Sequence, residues 1–256
     1  MPTIAELRAE TQPPTLFERN SGEHWSGRLY MRRVSPYLTR ALLPTRVSPN
    51  AVTGLALAVG LAAAALLSIP GILPAAGALL LIQVQMLFDC TDGELARWRQ
   101  QHSATGIYLD RVAHYATETA IPVALGVRAD GGWDSIGGWT TLGLAIALLV
   151  LLVRVESALV HVARAEAGKP LVADTGEVTA PRASGLRRVR RALGFVPFFR
   201  AFVAIEATLL AFAAAVVDSL AGDQAGTRAL LLVLLPVAGL TAAGHLVAIL
   251  ASSRLR

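Results

Sequence analysis

Charge is scarce in this chain of 256 residues: only 16% are Asp, Glu, Lys or Arg. A soluble domain carries about 25%, so the deficit points to lipid rather than water as the main solvent. Cysteine is nearly absent. Cys90 stands alone, which excludes an intrachain disulfide and leaves the redox compartment open. The first fifty residues hold no apolar run and are rich in Arg and Pro, which argues against a secretory signal. No internal repeat is visible.

What the chain does have is apolar length. Hydrophobic residues make up 54% of it, and a spanning helix needs about 20 mostly apolar residues. Six stretches fit: 51–69, 73–95, 105–127, 137–160, 198–221 and 227–250. The second and third carry acids, and the fifth holds Arg200 and Glu206 near its start. The fold class is therefore expected to be all-α, a polytopic bundle of six transmembrane helices. Before it, apolar Leu29, Tyr30, Val34, Tyr37, Leu38 and Leu42 alternate with Arg28, Arg32, Arg33 and Arg40 at helical intervals. This pattern predicts an amphipathic interfacial helix within 25–43, with residues 1–20 poorly ordered. The expected organisation is a cytoplasmic tail and interfacial helix over 1–47, then a membrane domain over 48–256.

The net charge of +5 could be taken for nucleic-acid binding, but the arginines cluster at the ends of apolar spans. With the N-terminus on one side, 18 of the 23 Lys and Arg fall on that side and only Arg128 and Arg228 on the other. The positive-inside rule makes the first side cytoplasmic. The expected location is the cytoplasmic membrane, both termini and the active site facing the cytoplasm, with membrane lipid and no nucleic acid as partner.

Ionisable groups at membrane depth are costly and are functional candidates. The stretch Asp89-Cys90-Thr91-Asp92-Gly93-Glu94-Leu95-Ala96-Arg97 concentrates four of them. On a helix, positions 89, 92 and 96 share a face; on the next helix Gly106, Asp110 and His114 share another. Three carboxylates and an imidazole thus meet in one cleft. Carboxylates so close repel unless a cation joins them, and an oxygen-rich site selects a hard ion such as Mg²⁺ or Mn²⁺. Such an ion binds pyrophosphate well. Polar residues gluing helices together would be served at lower cost by serine or asparagine.

These residues resemble the CDP-alcohol phosphotransferase signature, D-x2-D-G-x2-A-R-x8-G-x3-D-x3-D. Every spacing matches, and Ser48-Pro49-Asn50-Ala51-Val52-Thr53 is similar to the Pro-Asn-x-x-Thr stretch of the family. The resemblance implies six spans, an interfacial helix and a homodimer. It implies that Asp89, Asp92 and Asp110 ligate one or two Mg²⁺ or Mn²⁺ ions, and that Asn50, Thr53, Gly93, Ala96, Arg97 and Gly106 shape the CDP site. One position departs: the last aspartate, metal ligand and general base in the family, is His114. Two accounts are open. The imidazole serves as base or ligand, or the site has lost turnover.

The implied activity is transfer of a phospho-alcohol from a CDP-alcohol donor to the hydroxyl of an acceptor alcohol, with release of CMP, in phospholipid biosynthesis. Asp110 and His114 would be the catalytic pair. CDP-diacylglycerol is the first donor to consider. A small soluble CDP-alcohol, as in inositol phosphodiester synthesis, is the alternative. Arg154, Arg164 and Arg200 are candidates for contacting the acceptor. Ala163-Arg164-Ala165-Glu166 is similar to members that use phosphorylated acceptors, although Val162 stands where inositol-phosphate users carry lysine. Two other classes compete. A cation-coupled transporter would repeat its buried acids in matching halves, and the aspartates lie in spans two and three alone. A non-catalytic CDP-alcohol-binding protein would bind without releasing CMP.

Overall fold

The computed structural model describes residues 1–14, 25–170 and 198–255. Among these it is all-helical, with eight α-helices: α1 Ile4–Thr11, α2 Arg32–Leu42, α3 Pro49–Leu67, α4 Ile72–Trp98, α5 Ala104–Asp130, α6 Gly138–Glu166, α7 Ala204–Ala221 and α8 Ala225–Ala251. A π-helical turn, Gly27–Met31, leads into α2. Five helices (α3, α4, α6, α7 and α8) are long and apolar enough to cross a bilayer, which marks an integral membrane protein. Their exposed faces carry Leu55, Leu73, Leu148, Leu220 and Leu240, side chains that hydrocarbon solvates and water does not. α5 matches the longest spans at about 40 Å. Its Asp110, Arg111, Glu118 and Arg128 leave it outside the apolar set.

The chain forms two compact units, Met1–Ala64 with Gly77–Thr117, and Ala65–Ala76 with Glu118–Arg256. In the first, α1 is a capped helix where the sequence reading expected little order. Thr3 Oγ1 accepts from the Glu6 amide, and the Glu6 carboxylate accepts from the Thr3 amide. This reciprocal cap satisfies two donors that a short helix would otherwise leave to water. Leu7 and Thr11, one turn apart, are fully buried, so α1 is docked rather than loose.

α2 turns small and polar side chains inward: Ser35, Pro36 and Thr39 are buried, whereas Val34 and Tyr37 are exposed, as is Leu29 in the preceding turn. Its C-terminal carbonyls would be orphans. The Arg99 guanidinium instead donates to the carbonyls of Leu42, Leu43, Thr45 and Val47. α3 then starts on Pro49, with Ser48 Oγ accepting from the Ala51 amide.

The second unit is stapled by buried polar links. Arg128, fully buried, donates to the carbonyls of Ile69 and Gly71 and to Thr227 Oγ1, and pairs with Asp218 at 3.4 Å. Asp130 caps α6 by accepting from the amides of Gly137 and Thr140, each at 2.8 Å. Glycines allow backbones to touch. A Cβ on Gly143 would lie 2.4 Å from the Pro122 carbonyl oxygen, and one on Gly226 2.4 Å from that of Ala214, the close approach small residues provide between membrane helices. The expected span over 198–221 begins later, at Ala204. Phe198–Phe202 forms a 3₁₀ turn that carries Arg200. The span expected over 137–160 runs on to Glu166, taking Arg164 into the helix.

Candidate active site

The site is built where α4 ends and α5 begins, both within the first unit. Gln100, with φ of 52°, breaks α4, and the Gln101 amide closes on the Ala96 carbonyl. Ser103 Oγ then accepts from the Gly106 amide to start α5. This tight turn returns the chain so that Asp110 and His114, one turn apart on α5, meet Asp89 on α4. His114 Nε2 lies 3.0 Å from Asp89 Oδ1 and 3.5 Å from Asp110 Oδ1.

Asp89, Asp110 and His114 present ligand atoms that all lie within 4.8 Å of one another. Their side chains are 32%, 46% and 45% exposed, so the cluster opens outward rather than into a sealed core. Two carboxylate oxygens and one imidazole nitrogen fit a divalent cation of the hard to borderline kind. A donor set with open positions leaves room for substrate oxygens.

Asp92, read from the sequence as a fourth ligand, stands apart from that group of three. It is buried, and its Oδ2 accepts from Thr53 Oγ1 at 2.5 Å. Thr53 thereby acts on Asp92, orienting the carboxylate by the kind of outer-shell bond that fixes metal ligands. Gly93 lies under Arg97: a Cβ there would meet the guanidinium nitrogens at 3.2 and 3.3 Å. Gly106 lies against Asn50, whose Oδ1 would be 3.1 Å from an added Cβ. Arg97 Nε donates to the Thr11 carbonyl at 2.5 Å. Ala96 is part-exposed beside them.

The three acceptor candidates lie in the second unit. Arg154 grips Glu118 with two parallel bonds, Nε to Oε2 at 2.7 Å and Nη2 to Oε1 at 2.6 Å. Arg164 is buried and donates to the carbonyls of Pro170 and Arg254. Arg200 is exposed on its 3₁₀ turn. The Arg187–Arg191 run falls outside the described residues.

Sequence reasoning assigned no role to Glu94. It is fully buried and accepts from Ser35 Oγ at 2.5 Å, Thr39 Oγ1 at 2.7 Å and Gln12 Nε2 at 2.8 Å, with Arg32 at 3.5 Å. Two residues beyond Asp92, it projects from nearly the opposite side of α4. A carboxylate on the far side of an apolar helix is itself a signal, since it must find donors of its own.

A family model for CDP-alcohol phosphatidyltransferases matches residues 46–180, more than half of the chain. An all-helical membrane protein with a cluster of acids and an imidazole at a helix turn is one class of object; this match names it. The chain belongs to the CDP-alcohol phosphatidyltransferase family, whose members transfer a phospho-alcohol from a CDP-alcohol. Among curated proteins no sequence matches it.

Proposed function

We propose that this protein is a metal-dependent transferase that moves a phosphatidyl group from CDP-diacylglycerol to an acceptor alcohol and releases CMP. The observation that carries the reading is the convergence of Asp89, Asp110 and His114, at the family's spacing, into one half-exposed donor set. A hard divalent ion, when bound at these residues, would offset the charge of the donor's pyrophosphate and of the departing CMP.

The residues divide the remaining work. Asp89, Asp92 and Asp110 would supply the carboxylate ligands, with Asp92 kept in place by Thr53. Arg97 gives a charge-assisted hydrogen bond to a donor phosphate. The small Gly93 and Gly106, with Asn50 alongside, leave room for the CDP moiety. His114, beside the carboxylates that would hold the ion and not itself bound to it, removes the acceptor's hydroxyl proton. The freed oxygen forms a bond to the phosphorus bearing the donor alcohol, the phosphorus–oxygen bond to CMP breaks, and CMP departs with the electron pair. Positioning and charge stabilisation account for most of the acceleration in such displacements. Of the acceptor contacts, Arg200 offers an exposed guanidinium, whereas Arg154 and Arg164 are committed to Glu118 and to carbonyl oxygens.

For topology, α5 is the sixth span and both termini face the cytoplasm, a reading supported by the arginine distribution. The exposed Leu29, Val34 and Tyr37, flanked by exposed Arg28, Arg33 and Arg40, support α2 and its preceding turn lying on the inner leaflet. The test is CMP release by protein purified in detergent, with Mg²⁺ or Mn²⁺, lipid and soluble CDP-alcohols, and a panel of acceptor alcohols. Acceptor-dependent release that disappears in Asp110→Asn supports transfer. Metal-dependent CDP-alcohol binding without release from any pair would replace it with a binding role.

A further inference from the structure

Three observations join α1 to the signature helix. First, α1 is docked by its fully buried Leu7 and Thr11. Second, the Thr11 carbonyl accepts from Arg97 Nε at 2.5 Å. That bond engages Nε, and Nη1 and Nη2 lie over Gly93, 3.2 and 3.3 Å from where a Cβ would stand. Third, the next residue, Gln12, donates from Nε2 both to the Arg32 carbonyl at 2.9 Å and to Glu94 Oε1 at 2.8 Å. Glu94 is itself held by Ser35 and Thr39 of α2. The end of α1 is thus fixed by Gln12 between α2 and α4, and its last carbonyl fixes Arg97.

A guanidinium on a flexible stem loses rotamer freedom when it grips an anion, and a prior bond that aligns its fork removes part of that cost from binding. Neither Gln12 nor Glu94 faces the metal cluster; they act at one and two removes. We propose that Gln12 is a positioning residue for donor binding: anchored on Glu94, it sets the Thr11 carbonyl that aims Arg97 at a phosphate of the CDP-alcohol. The inference rests on the transfer reading for the identity of the donor and adds α1 to the donor site.

The test compares wild type, Gln12→Ala and Gln12→Met. The methionine keeps the length of the side chain but cannot donate to Glu94. Steady-state CMP release gives kcat and the KM values for donor and acceptor, and calorimetry with CDP and Mg²⁺ gives a Kd without turnover. Loss of the Gln12 bonds to Glu94 and to the Arg32 carbonyl predicts a donor KM and a CDP Kd raised about fivefold to tenfold in both variants. kcat and the acceptor KM should stay within about twofold. An unchanged donor KM and CDP Kd would overturn the proposal, as would a rise in Gln12→Ala alone, which would mark a packing role. A parallel fall in kcat, both affinities and Tm would also overturn it. Wild type that binds CDP but releases no CMP would sink the transfer reading while leaving this inference to the Kd ratio. Wild type that binds no CDP would overturn both.

Discussion

The two units treat their carboxylates in opposite ways. In the first, Asp89 and Asp110 stay about a third to a half exposed and face His114, with no arginine in ion-pair range among the described residues. In the second, Glu118 and Asp218 are buried and each meets an arginine, Arg154 or Arg128. In these two pairs the carboxylate's charge is met by an arginine of the same unit. The first is a group of three side chains whose ligand atoms lie close enough together to hold a metal ion. A buried acid in a membrane helix is therefore not functional by depth alone; whether its partner comes from the same chain decides the matter. Glu94 proves the rule from inside the first unit, since it lies within the signature yet is saturated by Ser35, Thr39, Gln12 and Arg32.

The contrast can be broken most sharply at Asp89. Asp89→Asn should lower CMP release by more than about a hundredfold, beyond the loss expected for an outer-shell partner, with Tm unchanged. His114→Ala should follow, at about a hundredfold in kcat, the lower end for removing a general base. His114→Asp, which restores the family's residue, should recover most of that loss in the same kinetic assay. On the other side of the comparison, Arg128→Met should leave the donor KM alone. It should cost about 3 kcal/mol of stability, because Asp218 and two carbonyls lose a buried partner; thermal unfolding in detergent reads this directly. The smallest effect belongs to Thr53→Val. Losing its bond to Asp92 should weaken the apparent metal affinity about tenfold and barely change the fold, as a metal titration of CMP release would show.

Part of the cluster was legible from helical period, which set Asp92 beside Asp89 as well, although Asp92 is not in the group of three. Asp110 and His114 are one turn apart, and the short link 99–103 brings Asp89 to them. The all-helical class was legible from run length, and of the six spans expected five are long and apolar enough to cross a bilayer. What could not be read depends on which helix meets which. Glu118 and Arg154 are 36 residues apart and Gln12 and Glu94 are 82 apart, and no periodicity relates them. Arg154, a candidate acceptor contact by sequence, therefore gave no sign of its pairing with Glu118. Arg99, one more cation at a span end by composition, turns out to hold four carbonyls of the segment before α3. The capping box of α1 was visible as Thr3 and Glu6, but without sight of where Leu7 docks, eight residues read as tail.

The most direct test of this division of carboxylates is Mn²⁺ binding to the purified protein, followed by electron paramagnetic resonance in the presence of CDP. The account predicts saturable binding by wild type and by Arg154→Met, and its loss in Asp110→Asn. Equal binding by wild type and Asp110→Asn would contradict it, because the ion would then be held somewhere other than the Asp89, Asp110 and His114 cluster.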